Sequence, residues 1–130
     1  MSKKVRVLVI EPGKRPQEKW IDGTLQSYQR EVNGYIQAIY PFADEVALIC
    51  NEEGKLLGLR PNRALQDENG EIYEIIFGTF LITGLTKDNF GSLSEQLLEK
   101  YKAMFAVAEA FILVNGKVRS IPLITEDYDL

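Results

Sequence analysis

Histidine is absent from this chain, and cysteine occurs once, as Cys50. Without histidine, zinc, haem and non-haem iron sites lose their commonest ligand. Serine–histidine and cysteine–histidine catalytic pairs are excluded outright. A single cysteine closes no internal disulfide, which fits a reducing compartment. Long apolar runs are missing too. The stretches around 75–85 and 103–114 are short or interrupted by charge, and neither reaches the roughly 20 apolar residues that cross a bilayer. The opening Met1-Ser2-Lys3-Lys4 leads into a run too short, and too soon charged, for a secretion signal. There is no excess of positive charge, with 15 Lys and Arg against 19 Asp and Glu and a net charge of −4. Direct binding to nucleic-acid phosphates is therefore not expected, and the negative charge is too small for a DNA mimic. These absences predict a cytoplasmic protein with no membrane partner, no metal site, no cofactor and no recognisable set of catalytic residues.

What remains is an ordinary globular composition, 130 residues at 45% apolar and 26% charged. It is expected to fold as a single domain over 1–130 with a short acidic tail at 125–130, where Glu126, Asp127 and Asp129 concentrate negative charge. Val5–Ile10 is rich in β-branched residues and reads as a strand, followed by the loop Glu11-Pro12-Gly13-Lys14-Arg15-Pro16 and a returning strand at Glu18–Ile21. Asp22 or Thr24 caps a helix whose apolar stripe is Leu25, Tyr28 and Val32, and Asn33-Gly34 ends it. Tyr35–Tyr40 and Val46–Cys50 read as antiparallel neighbours joined by Pro41–Glu45.

Further along, Pro61–Leu65 reads as a short turn of helix, and Glu71–Thr83 as a long β stretch broken at Gly78. Ser92 or Ser94 caps a second helix with Leu97, Leu98, Tyr101, Met104 and Phe105 on its buried face. Phe111–Val114, Asn115-Gly116 and Lys117–Ile121 form a hairpin with a type I′ turn. The sum is an α+β fold, a mostly antiparallel sheet of six to seven strands with two amphipathic helices packed on one face.

The most suggestive chemistry lies between Tyr40 and Leu65. Arg60-Pro61-Asn62-Arg63 places two guanidinium forks beside a restricted proline, with Lys55 and Asn51 upstream and Tyr40 and Phe42 as an apolar wall. Such a set suits an anion, a carboxylate or a partner backbone. The competing reading is a solvated basic turn paired with Glu52, Glu53, Asp67 or Glu68. On the first reading, replacing Arg60 and Arg63 by alanine abolishes binding without unfolding the domain. Lys14 and Arg15 after Gly13 do not complete a phosphate loop, since neither GxxxxGK[ST] nor GxGxxG is present. The acidic doublets Asp44-Glu45, Glu52-Glu53 and Asp67-Glu68 are read as solvated charge or as carboxylates for Mg²⁺. Tyr73 and Phe77 belong to an aromatic set that either packs the core or lines a groove able to stack a base. Cys50, between Ile49 and Asn51 in a strand, reads as a buried, inert thiol.

The segments Asp44-Glu-Val-Ala-Leu-Ile-Cys-Asn-Glu-Glu-Gly-Lys-Leu56, Leu59-Arg-Pro-Asn-Arg-Ala-Leu65 and Glu71-Ile-Tyr-Glu-Ile-Ile-Phe-Gly-Thr-Phe80 carry a resemblance. Over about residues 5 to 105 the chain resembles an uncharacterised, domain-of-unknown-function family of small proteins from phages and mobile elements of Firmicutes and gut bacteria. That resemblance implies an accessory protein that binds a host protein or sequesters an anionic, nucleotide-like ligand in the host cytoplasm, as host modulation or counter-defence. It brings no catalytic residues with it. The expected function is thus non-enzymatic capture, with Arg60, Asn62, Arg63, Asn51, Lys55, Tyr40 and Phe42 as the binding residues. The alternatives are a Mg-dependent carboxylate enzyme acting on nucleotides and a structural protein that forms a homodimer through exposed sheet edges.

Overall fold

The computed structural model describes residues 3–123; the acidic tail expected at 125–130 lies outside the described residues. In chain order the elements are β1 (Lys4–Ile10), β2 (Gln17–Asp22), α1 (Leu25–Val32), β3 (Ile36–Ile39), β4 (Val46–Asn51), β5 (Pro61–Gln66), β6 (Ile72–Phe77), β7 (Phe80–Leu85), β8 (Phe90–Gly91), α2 (Glu95–Met104), β9 (Glu109–Val114) and β10 (Lys117–Pro122). The main sheet has six strands, in the order β2-β1-β7-β4-β3, with β8 attached to β7. Every pairing in it is antiparallel. Two further two-stranded sheets, β5–β6 and β9–β10, complete the α+β architecture.

Both faces of the main sheet are covered, and alternation along the strands decides which side chain serves which face. Leu8, Ile10, Val46, Leu48, Phe80 and Ile82 point to a cluster that contains Leu98, Tyr101 and Phe105 at the α2 end and Leu65 and Ile76 from β5 and β6. Val5, Val7, Val9, Ala47, Ile49 and Leu81 point the opposite way, onto Tyr28 and Val32 of α1. The two helices therefore lie on opposite faces, which corrects the expectation of a shared one. The cause is visible in β4, buried at every position from Val46 to Asn51; a strand buried on both sides needs cover on both sides.

The helix ends follow from their caps. Thr24 Oγ1 accepts from Ser27 N at 3.2 Å, and Asn33 takes the left-handed conformation (φ 62°) that stops α1. Ser94 Oγ accepts from Leu97 N at 3.2 Å to start α2. Leu25, the first residue of α1, and Met104, the last of α2, were expected on the apolar stripes and stand 53% and 49% exposed. Asn115 and Gly116 both adopt positive φ (52° and 78°), as the type I′ turn between β9 and β10 requires.

The segment expected as a helical turn at Pro61–Leu65 is strand β5. Its register against β6 slips between Pro61, opposite Phe77, and Arg63, opposite Ile76, so Asn62 is the extra residue of a bulge. Proline is tolerated at a strand's first position. The bulge breaks the alternation, and Asn62 and Arg63 are both fully buried as a result. The stretch expected to be interrupted at Gly78 divides there into β6 and β7, with Gly78 at φ 85°.

Candidate functional site

The structure disperses the residues expected to form one site. Asn62 is 0% exposed, and its amide nitrogen donates to Ile10 O at 2.8 Å and Gly78 O at 2.9 Å. Arg63 is also 0% exposed. Its guanidinium donates to Phe105 O (2.8 and 3.2 Å), Lys14 O (2.7 Å) and Asn62 Oδ1 (2.9 Å). These two side chains tie the β5 bulge to the end of β1, to the loop after it and to the end of α2. Buried carbonyls need such donors. Asn51 is a third strut. Its amide nitrogen reaches Val32 O (3.1 Å) and Asn33 O (3.2 Å) at the end of α1, and its Oδ1 accepts from Glu53 N at 2.8 Å.

Arg60 is exposed, with its guanidinium laid over Gly13, where an added Cβ would stand 3.1 Å from Nη2. Phe42 is half-buried against the rings of Tyr101 (4.9 Å) and Phe105 (6.2 Å), while Tyr40 is exposed. Alanine at Arg63 would remove packing and internal hydrogen bonds, so the expectation that the Arg60 and Arg63 pair is replaceable without unfolding does not suit this placement.

Nor do the acidic doublets converge. Asp44 accepts from Lys100 Nζ and, at 2.7 Å, from Tyr101 Oη. Hydrogen bonds from Lys100 and Tyr101 hold its carboxyl below the usual carboxylate range. Desolvation and the same bond push the Tyr101 hydroxyl well above its ordinary value. Asp67 Oδ1 caps the β5–β6 turn by accepting from Asn69 N (2.9 Å) and Glu71 N (3.0 Å). Among the described residues no three His, Cys, Asp or Glu side chains gather within metal-binding reach.

Lys55 alone of the expected set borders a broad cleft at the surface. This cleft, about 450 Å³, runs between β6 and β10. Its wall on β6 is contiguous from Glu71 to Ile75 and includes Phe77, and on β10 it is Lys117-Val118-Arg119. Consecutive residues line it, so strand backbone borders the cleft as well as side chains. On β6, Ile76 is packed into the core. Alternation therefore turns Tyr73, Ile75 and Phe77 to the other side, and Tyr73 is 56% exposed.

Lys55 reaches the cleft because Gly54 lets its loop approach β6 closely: a Cβ on Gly54 would stand 2.6 Å from Phe77 O. The cleft thus has an apolar floor, three cations (Lys55, Lys117, Arg119) and two carboxylates (Glu71, Glu74). A narrower cleft of about 100 Å³ continues along Glu74–Phe77, facing Gln37 and Cys50. Burial, with a smaller push from Glu74, raises the Cys50 thiol to about 11.

Tyr73, Lys117 and Arg119 were the residues that motif reading did not assemble. Their signal is the period of two: Tyr73-Ile75-Phe77 is an apolar row flanked by charge, and Lys117 and Arg119 alternate after the Asn-Gly turn.

The profile of the domain of unknown function DUF3846 matches residues 5–106. The chain belongs to the DUF3846 family. The match takes in the main sheet, both helices and the β5–β6 pair, and stops before β9, so one wall of the cleft lies inside the matched region and the other outside it. Comparison with curated proteins and with solved structures finds no match. Membership in the family brings no assigned chemistry, and among the described residues no helix is long and apolar enough to cross a membrane.

Proposed function

We propose that this DUF3846 protein is a non-enzymatic binding protein that captures an anionic partner in the cleft between β6 and β10. The observation that supports this reading is the cleft's composition. Lys55, Lys117 and Arg119 stand around a floor of Tyr73, Ile75, Phe77 and Val118, which offers charge-assisted hydrogen bonds at the rim and apolar burial beneath. The phage or mobile-element setting implied by the family resemblance is part of this proposal. In the host cytoplasm such a cleft would modulate the host, or counter a defence, by stoichiometric capture of a host protein or of an anionic, nucleotide-like ligand. The anchoring role passes from Arg60, Asn62, Arg63 and Asn51 to Lys117, Arg119 and Tyr73, with Lys55 kept from the earlier set.

The test is amide chemical-shift mapping of the whole chain with two anionic probes, ADP and a glutamate-rich peptide. Shifts are expected to concentrate at Lys55, Tyr73, Lys117 and Arg119 and to vanish in Lys117→Glu with Arg119→Glu, whose fold should be unchanged because both positions are exposed. Shifts that survive the charge reversal, or that map elsewhere, would refute the reading.

A further inference from the structure

We infer that the cleft takes its partner as an extended acidic peptide that adds a strand to the free edge of β6; this rests on the binding reading above. Among the described residues, β6 pairs only with β5, and no strand pairs with its other edge. Both clefts, about 450 and about 100 Å³, run along residues of this strand.

The edges of the main sheet are blunted as edges in soluble proteins usually are. β3 has only four residues, and β2 carries Glu18, Lys19 and Asp22. β6 is six residues long, contains no proline or lysine, and is apolar at Ile72, Tyr73, Ile75, Ile76 and Phe77. The Gly54 loop covers this edge at Phe77 and Glu74 is the one charge in the strand; the remaining apolar edge is a template for another strand, and strand addition is an established way to hold a peptide.

Charge identifies the peptide. Lys117 and Arg119 lie two residues apart on β10, so their side chains share a face with Cα atoms about 6.6 Å apart. Carboxylates on alternate residues of an extended chain have the same spacing. Lys55 adds a third cation on the loop held by Gly54. Glu71 and Glu74 stand in the same wall and repel carboxylates placed opposite them, which selects the register. Side chains between the acidic ones turn to the opposite face of the added strand, the side of Ile72 and Ile76.

Three synthetic peptides test this on the full chain by fluorescence anisotropy. They are Glu-Ile-Glu-Ile-Glu-Ile-Glu, the same peptide with lysine for glutamate, and the glutamate peptide N-methylated at alternate backbone amides. The glutamate peptide is expected to bind, the lysine peptide not to bind, and the N-methylated one to bind tenfold or more weakly. Amides on the outer edge of β6 should gain protection from hydrogen exchange only with the first. Equal binding of the N-methylated peptide overturns strand addition and leaves charge capture standing. So does binding of ADP in the cleft with none of the peptides. Absence of binding by every anionic probe removes both readings.

Discussion

Replacing Asn62 by alanine separates a strut from a ligand anchor. The side chain is fully buried and makes three hydrogen bonds, donating to Ile10 O and Gly78 O and accepting from Arg63 Nη1 at 2.9 Å. Truncation leaves two carbonyls and one guanidinium N–H without this partner. Each buried group left unsatisfied costs about 1–3 kcal/mol. The second lone pair of a carbonyl and slight relaxation of the bulge favour the low end of that range, about 1 kcal/mol per group, so the loss should be about 3–4 kcal/mol. Set against the roughly 5–15 kcal/mol that holds a typical domain together, this is a large fraction. For a chain of this length it corresponds to a fall in Tm of about 10–20 °C.

Urea denaturation of Asn62→Ala beside Arg60→Ala makes the comparison. Arg60 is exposed and lies over Gly13, so its truncation should change stability by no more than about 0.5 kcal/mol. A loss below about 1 kcal/mol for Asn62→Ala, with an unchanged urea slope, would refute the strut and return Asn62 to the ligand-binding candidates.

Two further outcomes follow from buried or bonded titratable groups. With its thiol pushed up to about 11, Cys50 at pH 8 is only about one part in a thousand thiolate, against about a quarter for a free cysteine. Ellman's reagent should therefore label the folded protein about two hundredfold more slowly than the unfolded chain, and rapid native labelling would contradict the burial. Asp44 is held below the usual carboxylate range by Lys100 and Tyr101. A depressed folded-state value means its contribution is present above the ordinary carboxylate pKa and is lost as pH falls through the folded value. The stability difference between the wild type and Asp44→Asn should accordingly shrink as acid denaturation is followed from pH 6 towards pH 2; a constant difference would show that the carboxylate does not titrate with the fold.

Local chemistry made much of the fold legible. Thr24, Asn33 and Ser94 act as caps, and Asn115-Gly116 turns the last hairpin, because each decision is made within four residues. The two-sided sheet had a signal that the one-face expectation passed over: Val46 to Cys50 is an unbroken apolar run, the mark of a strand covered on both faces. What escaped was non-local. The bulge at Asn62 depends on the register against β6, and nothing in Arg-Pro-Asn-Arg reveals that partner. Arg63 read as a surface cation because buried arginines are rare, whereas its hydrogen bonds go to Lys14 O and Phe105 O, far away in sequence. The candidate cleft was hidden for a related reason: its walls, around 71–77 and 117–119, meet only after folding.

The position of β7 has a consequence for how the chain is made. β7 lies between β1 and β4, with Leu8 and Leu48 both in register with Ile82. The hairpins β1–β2 and β3–β4 are finished early in synthesis, yet the strand that joins them emerges some thirty residues after β4. Until residue 85 has left the ribosome, β1 and β4 each carry an open apolar edge, and no main sheet exists to receive either helix. Folding should therefore be slow for a domain of this size, governed by one late, long-range insertion. A nascent chain stalled before Phe80 should be a target for chaperones, and one stalled beyond Leu85 should not.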